Sequence, residues 1–183
     1  MRPNTALKES NIAEYLLYIF QIEAMVRSLS LDIDLIEKQL LLPASKSPEE
    51  FQLHQQWYAS LLAEFNRRGL QKEGHIEEVE EVLMELVYLH NTLLTIVNDE
   101  KYKALCEQAQ PDLIEFKKRS NMAQRQDVEA LLHAMFMKLQ LKMKQQEISP
   151  ETEAAFDLFR IQLAYLSRAY QQMKTGALNF FQN

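Results

Sequence analysis

Ile76, Val79, Leu83, Leu86, His90, Leu93 and Val97 follow one another at alternating intervals of three and four, which places all seven on one stripe of a long helix. That helix starts near Gly74 and His75 and runs to about Val97. Similar stripes recur along the chain. Asn11 with Glu14 three positions on forms a capping box, and Ile12 to Leu29 is apolar almost all the way round, as expected of a central helix. A shorter helix is predicted from Asp32 to Leu42, with the carboxylates of Asp32 and Asp34 at its positive end and Pro43 as its stop. Ser47-Pro48-Glu49-Glu50 opens a third, carrying Phe51, His54, Tyr58, Leu61 and Phe65 on one face and ending at Gly69.

After Val97, Asn98 or Asp99 caps a fifth helix that runs through Glu107 and is either kinked or restarted by Pro111 before ending near Arg119. Asn121 with Gln124 is expected to open a sixth, with Val128, Leu131, Leu132, Met135, Leu139 and Met143 on one face. Ser149-Pro150 opens a seventh, with Phe156, Phe159, Leu163, Leu166 and Tyr170 on one face and Gly176 at its end. The tail from Ala177 to Asn183 offers Leu178 and Phe180 to the bundle. No connection exceeds about six residues, which favours antiparallel neighbours in one domain. The expected fold class is therefore all-α: one bundle of about seven helices spanning residues 1–183, with about four-fifths of its residues helical.

Composition supports this picture and narrows the chemistry. With 183 residues the chain can bury a sizeable core without a metal or disulfide staple, and 3 Gly are too few for glycine-lined nucleotide loops. The single cysteine, Cys106, and the absence of a signal-peptide pattern at the start point to the cytoplasm. No stretch approaches 18 uninterrupted apolar residues, so no membrane span is expected. Net charge is −6, divided into about −9 over residues 1–100 and +3 over residues 101–183. An acidic molecule repels phosphate backbones, and the basic residues Lys117, Lys118, Arg119, Arg125, Lys138, Lys142 and Lys144 lack interleaved aromatics, so nucleic acid is not an expected partner.

Several segments together carry a resemblance: Asn11-Ile12-Ala13-Glu14-Tyr15-Leu16-Leu17-Tyr18, Gln21-Ile22-Glu23, Asp32-Ile33-Asp34, Trp57-Tyr58, Gly74-His75, Leu89-His90-Asn91 and Glu147-Ile148-Ser149, in that order. This layout resembles a domain-of-unknown-function family of small bacterial proteins of about this length, over nearly the whole chain. The resemblance implies an all-helical bundle. It implies no activity, and it assigns no catalytic or ligand residue.

Chemistry must therefore be argued from polar residues on apolar faces. Glu23 shares the face of Ile12, Leu16, Ile19 and Phe20, where a carboxylate needs a partner, and Arg27 one turn later is placed to supply it. His90 sits within the stripe that runs from Ile76 to Val97, so its imidazole also needs partners inside the core. The expectation is that His90 meets Glu23 or Arg27 across two packed helices. The three residues form either a structural polar contact or the centre of a pocket. His75 beside Gly74 reads as a cap or loop residue. Glu50 with His54 and Glu129 with His133 share helix faces at four-residue spacing, but no Glu-x-x-His occurs, and no resident metal or cofactor is expected. The acidic run Glu73, Glu77, Glu78, Glu80, Glu81 and Glu85 reads as a solvated helix face near a positive dipole end.

Met137 and Leu141 on the back of the sixth helix, with Leu158, Ile161 and Tyr165 on the back of the seventh, form surplus apolar surface. They are either sandwiched within the bundle or offered to a partner, a second copy being the expected one. The functional expectation is a binding or scaffolding module that self-associates. The alternative is an enzyme or ligand binder with a polar pocket around Glu23, Arg27 and His90.

Overall fold

A computed structural model describes residues 5–177. Its elements are α1 (Thr5–Ser10), α2 (Ile12–Ser28), α3 (Ile33–Ile36), a π-helical segment (Glu37–Leu41), α4 (Leu42–Ala44), α5 (Pro48–Arg68), α6 (Glu77–Thr95), α7 (Glu100–Arg119), α8 (Asp127–Met143) and α9 (Pro150–Lys174). Helix accounts for 79% of the described residues, and none of them is in a strand. The positions of Leu178 and Phe180 lie outside the described residues.

The predicted stripes face inward. Ile76, Val79, Leu83, Leu86, His90 and Leu93 are buried, as are Phe156, Phe159, Leu163, Leu166 and Tyr170. Helix α9 packs against α7, α8, α2 and α6, and α2 in turn against α1, α8 and α9. The central place expected for α2 is therefore shared with α9. Met143, the last residue of α8, departs from its stripe and is 68% exposed. Among the described residues no helix is long and apolar enough to cross a membrane.

The boundaries that differ from expectation do so for physical reasons. Asn11, Asp32, Ser47, Asp99 and Ser149 each accept hydrogen bonds from the first turn of the helix that follows. Asn98 and Asn121, read as possible caps, instead take left-handed backbone at φ of 57° and 56°. Asparagine tolerates that conformation as readily as it caps. Helix α8 consequently starts later, at Asp127, with Gln126 and Glu129 forming its capping box. Beyond Asp32 the helix does not stop before Pro43. It widens into a π turn, which gives the proline ring room against the preceding turn. The wider turn also brings Ile36 and Leu41, five positions apart, into the core, both with no exposed surface. The short helix α1, unforeseen because Asn11 cuts it to six residues, is held by Lys8 pairing with Glu78 on α6.

Pro111 does not restart the helix: α7 is continuous from Glu100 to Arg119 with the proline inside it. It lacks the N–H that would bond to the carbonyl four residues earlier, and its ring crowds that turn. Pro111→Ala restores the bond at an exposed site, against a smaller loss from a freer unfolded chain. A gain of about 1–2 kcal/mol is expected from urea unfolding. An unchanged or lower midpoint would mean that the proline is accommodated without cost.

Candidate functional site

The connection between α5 and α6, residues 69–76, is fixed from both sides. Gly69 takes left-handed backbone (φ 70°) after Arg68, and its N–H reaches the Phe65 carbonyl. Arg27 of α2 donates through Nε to the Leu70 carbonyl (3.0 Å) and through its terminal nitrogen to the Gly74 carbonyl, while its guanidinium lies 5.0 Å from the centroid of the Phe65 ring. From the other side Arg68 donates to the His75 carbonyl (3.1 Å) and pairs with Glu64 and Glu80.

Glu23 is the centre of this arrangement. Its side chain is completely buried, with Oε1 accepting from the Ile76 N–H at 2.9 Å and Oε2 lying 2.6 Å from His75 Nδ1. Ile76 is the N-cap residue directly before α6, so one carboxylate both anchors the start of that helix and orients the imidazole in front of it. The His75 ring stacks on Phe20 (centroids 4.3 Å apart, 18° between planes), and Phe136 meets Phe20 edge-on. A carboxylate only accepts hydrogen bonds, so His75 Nδ1 carries a proton, and in the neutral ring Nε2 is left as an acceptor. The His75 side chain is 34% exposed.

His75 opens onto a cleft of about 920 Å³. One wall is α6, with Leu83, Met84, Val87 and Tyr88; the other is the connection between α7 and α8 together with Glu129 and His133 of α8. Met84 and Tyr88, one turn apart, are 65% and 67% exposed and form an apolar ledge. Burial lowers the affinity of His133 for a proton, and the neighbouring His75 lowers it further. A smaller cavity of about 420 Å³ lies at the C-terminal end of α9, where Lys174 and Tyr170 both bond Glu85.

The expected meeting of His90 with Glu23 or Arg27 is not what the fold provides. His90 Nδ1 bonds to the Tyr102 hydroxyl of α7 at 2.8 Å, and the two rings meet edge-on. The Glu23–Arg27 pair does not form either, since Arg27 is spent on backbone carbonyls and Glu23 on the α5–α6 connection. Both residues nevertheless converge on that connection, Glu23 through His75 and Ile76, Arg27 through Leu70 and Gly74. His75, read as a loop residue, is the partner Glu23 needed. Nothing in the spacing of positions 23 and 75 signals this, because it depends on how α5 returns the chain to α2.

His90 belongs to a separate buried group. Gln162 Nε2 lies 3.2 Å from Cys106 Sγ, while Gln162 Oε1 is buried with no partner among the described residues. Burial raises the Cys106 thiol to about 11, which makes it a poor nucleophile at neutral pH. Burial lowers the His90 pKa, Asp127 opposing weakly. Both His90 and His133 therefore prefer to be neutral in the fold. The unfolded chain binds more protons than the native one as pH drops through the ordinary histidine value of 6.5, so stability is full above it and is lost below it. Urea midpoints should fall from about pH 7 to pH 5, with a shallower slope in His133→Gln. Equal slopes would show that His133 does not contribute.

The five candidate interface residues are largely covered by the chain itself. Met137, Leu141, Leu158 and Tyr165 are half-buried, and Tyr165 stacks on Tyr102 and bonds Asp99 at 2.7 Å. Ile161 alone of the five is exposed, at 41%. His54 bonds Ser45 at 2.9 Å. No group of three or more His, Cys, Asp or Glu side chains is placed to hold a metal ion among the described residues.

No curated protein and no solved structure matches this chain. A family model described as a domain of unknown function, DUF4924, matches residues 1–177. With all but the last few residues covered, the chain belongs to the DUF4924 family.

Proposed function

We propose that this protein is a binding module whose cleft between α6 and the α7–α8 connection takes a small ligand, with His75 as its fixed polar contact. The observation that carries this reading is the fully buried Glu23 holding His75 Nδ1 at 2.6 Å in the wall of a 920 Å³ cleft. Orientation by a buried carboxylate leaves one ring nitrogen with a defined role toward whatever enters, as ligand sites require of their few polar groups. The volume is within the usual range for small-molecule sites, about 300–1,000 Å³. The pocket alternative drawn from Glu23, Arg27 and His90 thus moves to Glu23 and His75, with Arg27 as a support of the loop.

The reading is tested by screening a fragment library by NMR on protein labelled at histidine nitrogens and methionine methyls. Hits should shift the His75 and Met84 signals and lose affinity in His75→Phe. Hits that leave these signals untouched, or no hits at all, would overturn it.

Self-association through Met137, Leu141, Leu158, Ile161 and Tyr165 is the less supported reading, since only Ile161 of that face is exposed. A homodimer seen by light scattering and dissociated by Ile161→Glu would restore it. The unpaired Cys106 supports a cytoplasmic setting.

A further inference from the structure

We propose that the ligand of this cleft is a small organic cation, an amine carrying an aromatic or branched apolar body. The inference rests on the reading of the cleft as a ligand site and concerns the chemistry of what fills it.

The polar lining accepts far more than it donates. Among the described residues Glu73 and Glu129 have no ion-pair partner; there Glu129 accepts only from the Gln126 N–H, and Glu73 is exposed. Glu80 is matched by Arg68. Among the described residues Arg125 is the one arginine or lysine in the lining, and it can balance only one of these two carboxylates. In its neutral form His75 presents Nε2 as an acceptor, because Nδ1 carries the proton that it donates to Glu23. His133, exposed on the α8 side of the same cleft, adds a second imidazole lone pair when neutral. A ligand entering here must bring N–H donors, and positive charge satisfies the residual carboxylate as well.

The apolar part of the lining sets the rest of the molecule. Met84 and Tyr88 expose most of their surface along the α6 wall, with Phe20, Leu83 and Val87 lining the same cleft. A thioether and aromatic faces are favourable neighbours for a flat or branched hydrocarbon, and an aromatic face attracts a cation besides. An anion of the same size would meet two carboxylates and one guanidinium, and would gain nothing from the imidazole acceptors.

The test compares phenethylamine with 3-phenylpropionate, which are similar in size and opposite in charge, by NMR titration at about pH 8, where unperturbed histidine is neutral. The amine should shift His75 and Met84 signals and bind about two- to fivefold tighter than the acid, as expected for one unbalanced carboxylate near a surface. Glu129→Gln and Glu73→Gln together should remove most of that preference without changing the fold, as judged by circular dichroism. If the acid binds the cleft as well as the amine, the cation assignment fails and the cleft remains a ligand site. If neither probe nor any library fragment shifts the cleft signals, both readings fail.

Discussion

Glu23→Ala is expected to destabilise the protein by about 2–6 kcal/mol, because it leaves the buried Ile76 N–H and the His75 Nδ1–H without acceptors, at about 1–3 kcal/mol for each group. Glu23→Gln separates the two roles of this side chain. Its carbonyl can still accept from Ile76, but its amide presents N–H to the imidazole, so Nδ1 must become the acceptor and the ring proton moves to Nε2. The cost should be about 1–2 kcal/mol, with His75 in the opposite tautomer. Chemical denaturation measures the first effect and the ¹⁵N shifts of labelled histidine the second. Should Glu23→Ala unfold at the wild-type midpoint, the carboxylate is not what holds α6 to α2. Should Glu23→Gln leave the tautomer unchanged, Glu23 does not set the character of the cleft.

Gly74→Ala should be comparably damaging although it removes no contact. Gly74 has φ of +90°, and a Cβ built there would stand 2.9 Å from Leu70 Cδ2, closer than any ordinary contact. Left-handed backbone costs a residue with Cβ about 1–2 kcal/mol, and crowding against Leu70, itself buried, adds about 1–3 kcal/mol unless the leucine can turn away. A loss of about 2–5 kcal/mol is therefore expected, and His75, the next residue, should lose its register on Glu23. Gly176→Ala is the control for the backbone term: φ is +71° and nothing lies within 4 Å, so only the conformational cost of about 1–2 kcal/mol applies. Equal losses in the two variants would show that Leu70 yields freely and that its close approach adds no cost.

What was legible along the chain depended on whether the signal is local. The stripes of α5, α6 and α9, the caps at Asn11, Ser47 and Ser149, and the glycine ends at Gly69 and Gly176 involve residues within a turn or two of each other, and they read correctly. Of Asn98 and Asp99 the aspartate is the cap, while Asn121 misled because asparagine serves both as a cap and as a left-handed residue, and only the path of the chain chooses between them. That Glu23 needs a partner could be inferred from its apolar face. Which partner could not, since Arg27 was near in sequence and His75 was 52 positions away. His90 shows the same limit. Its burial was legible, while Tyr102 as its partner required the turn that returns α7 alongside α6.

The order of apolar and polar residues by itself determined that this chain folds into helices and which face of each is buried, because helix periodicity and capping act over a few residues. The pairing of Glu23 with His75, and the cleft onto which His75 opens, were decided only by tertiary structure. Two groups far apart in sequence become neighbours when the packing of α2, α6 and α8 fixes the path of the connection between α5 and α6, and no local pattern encodes that distance.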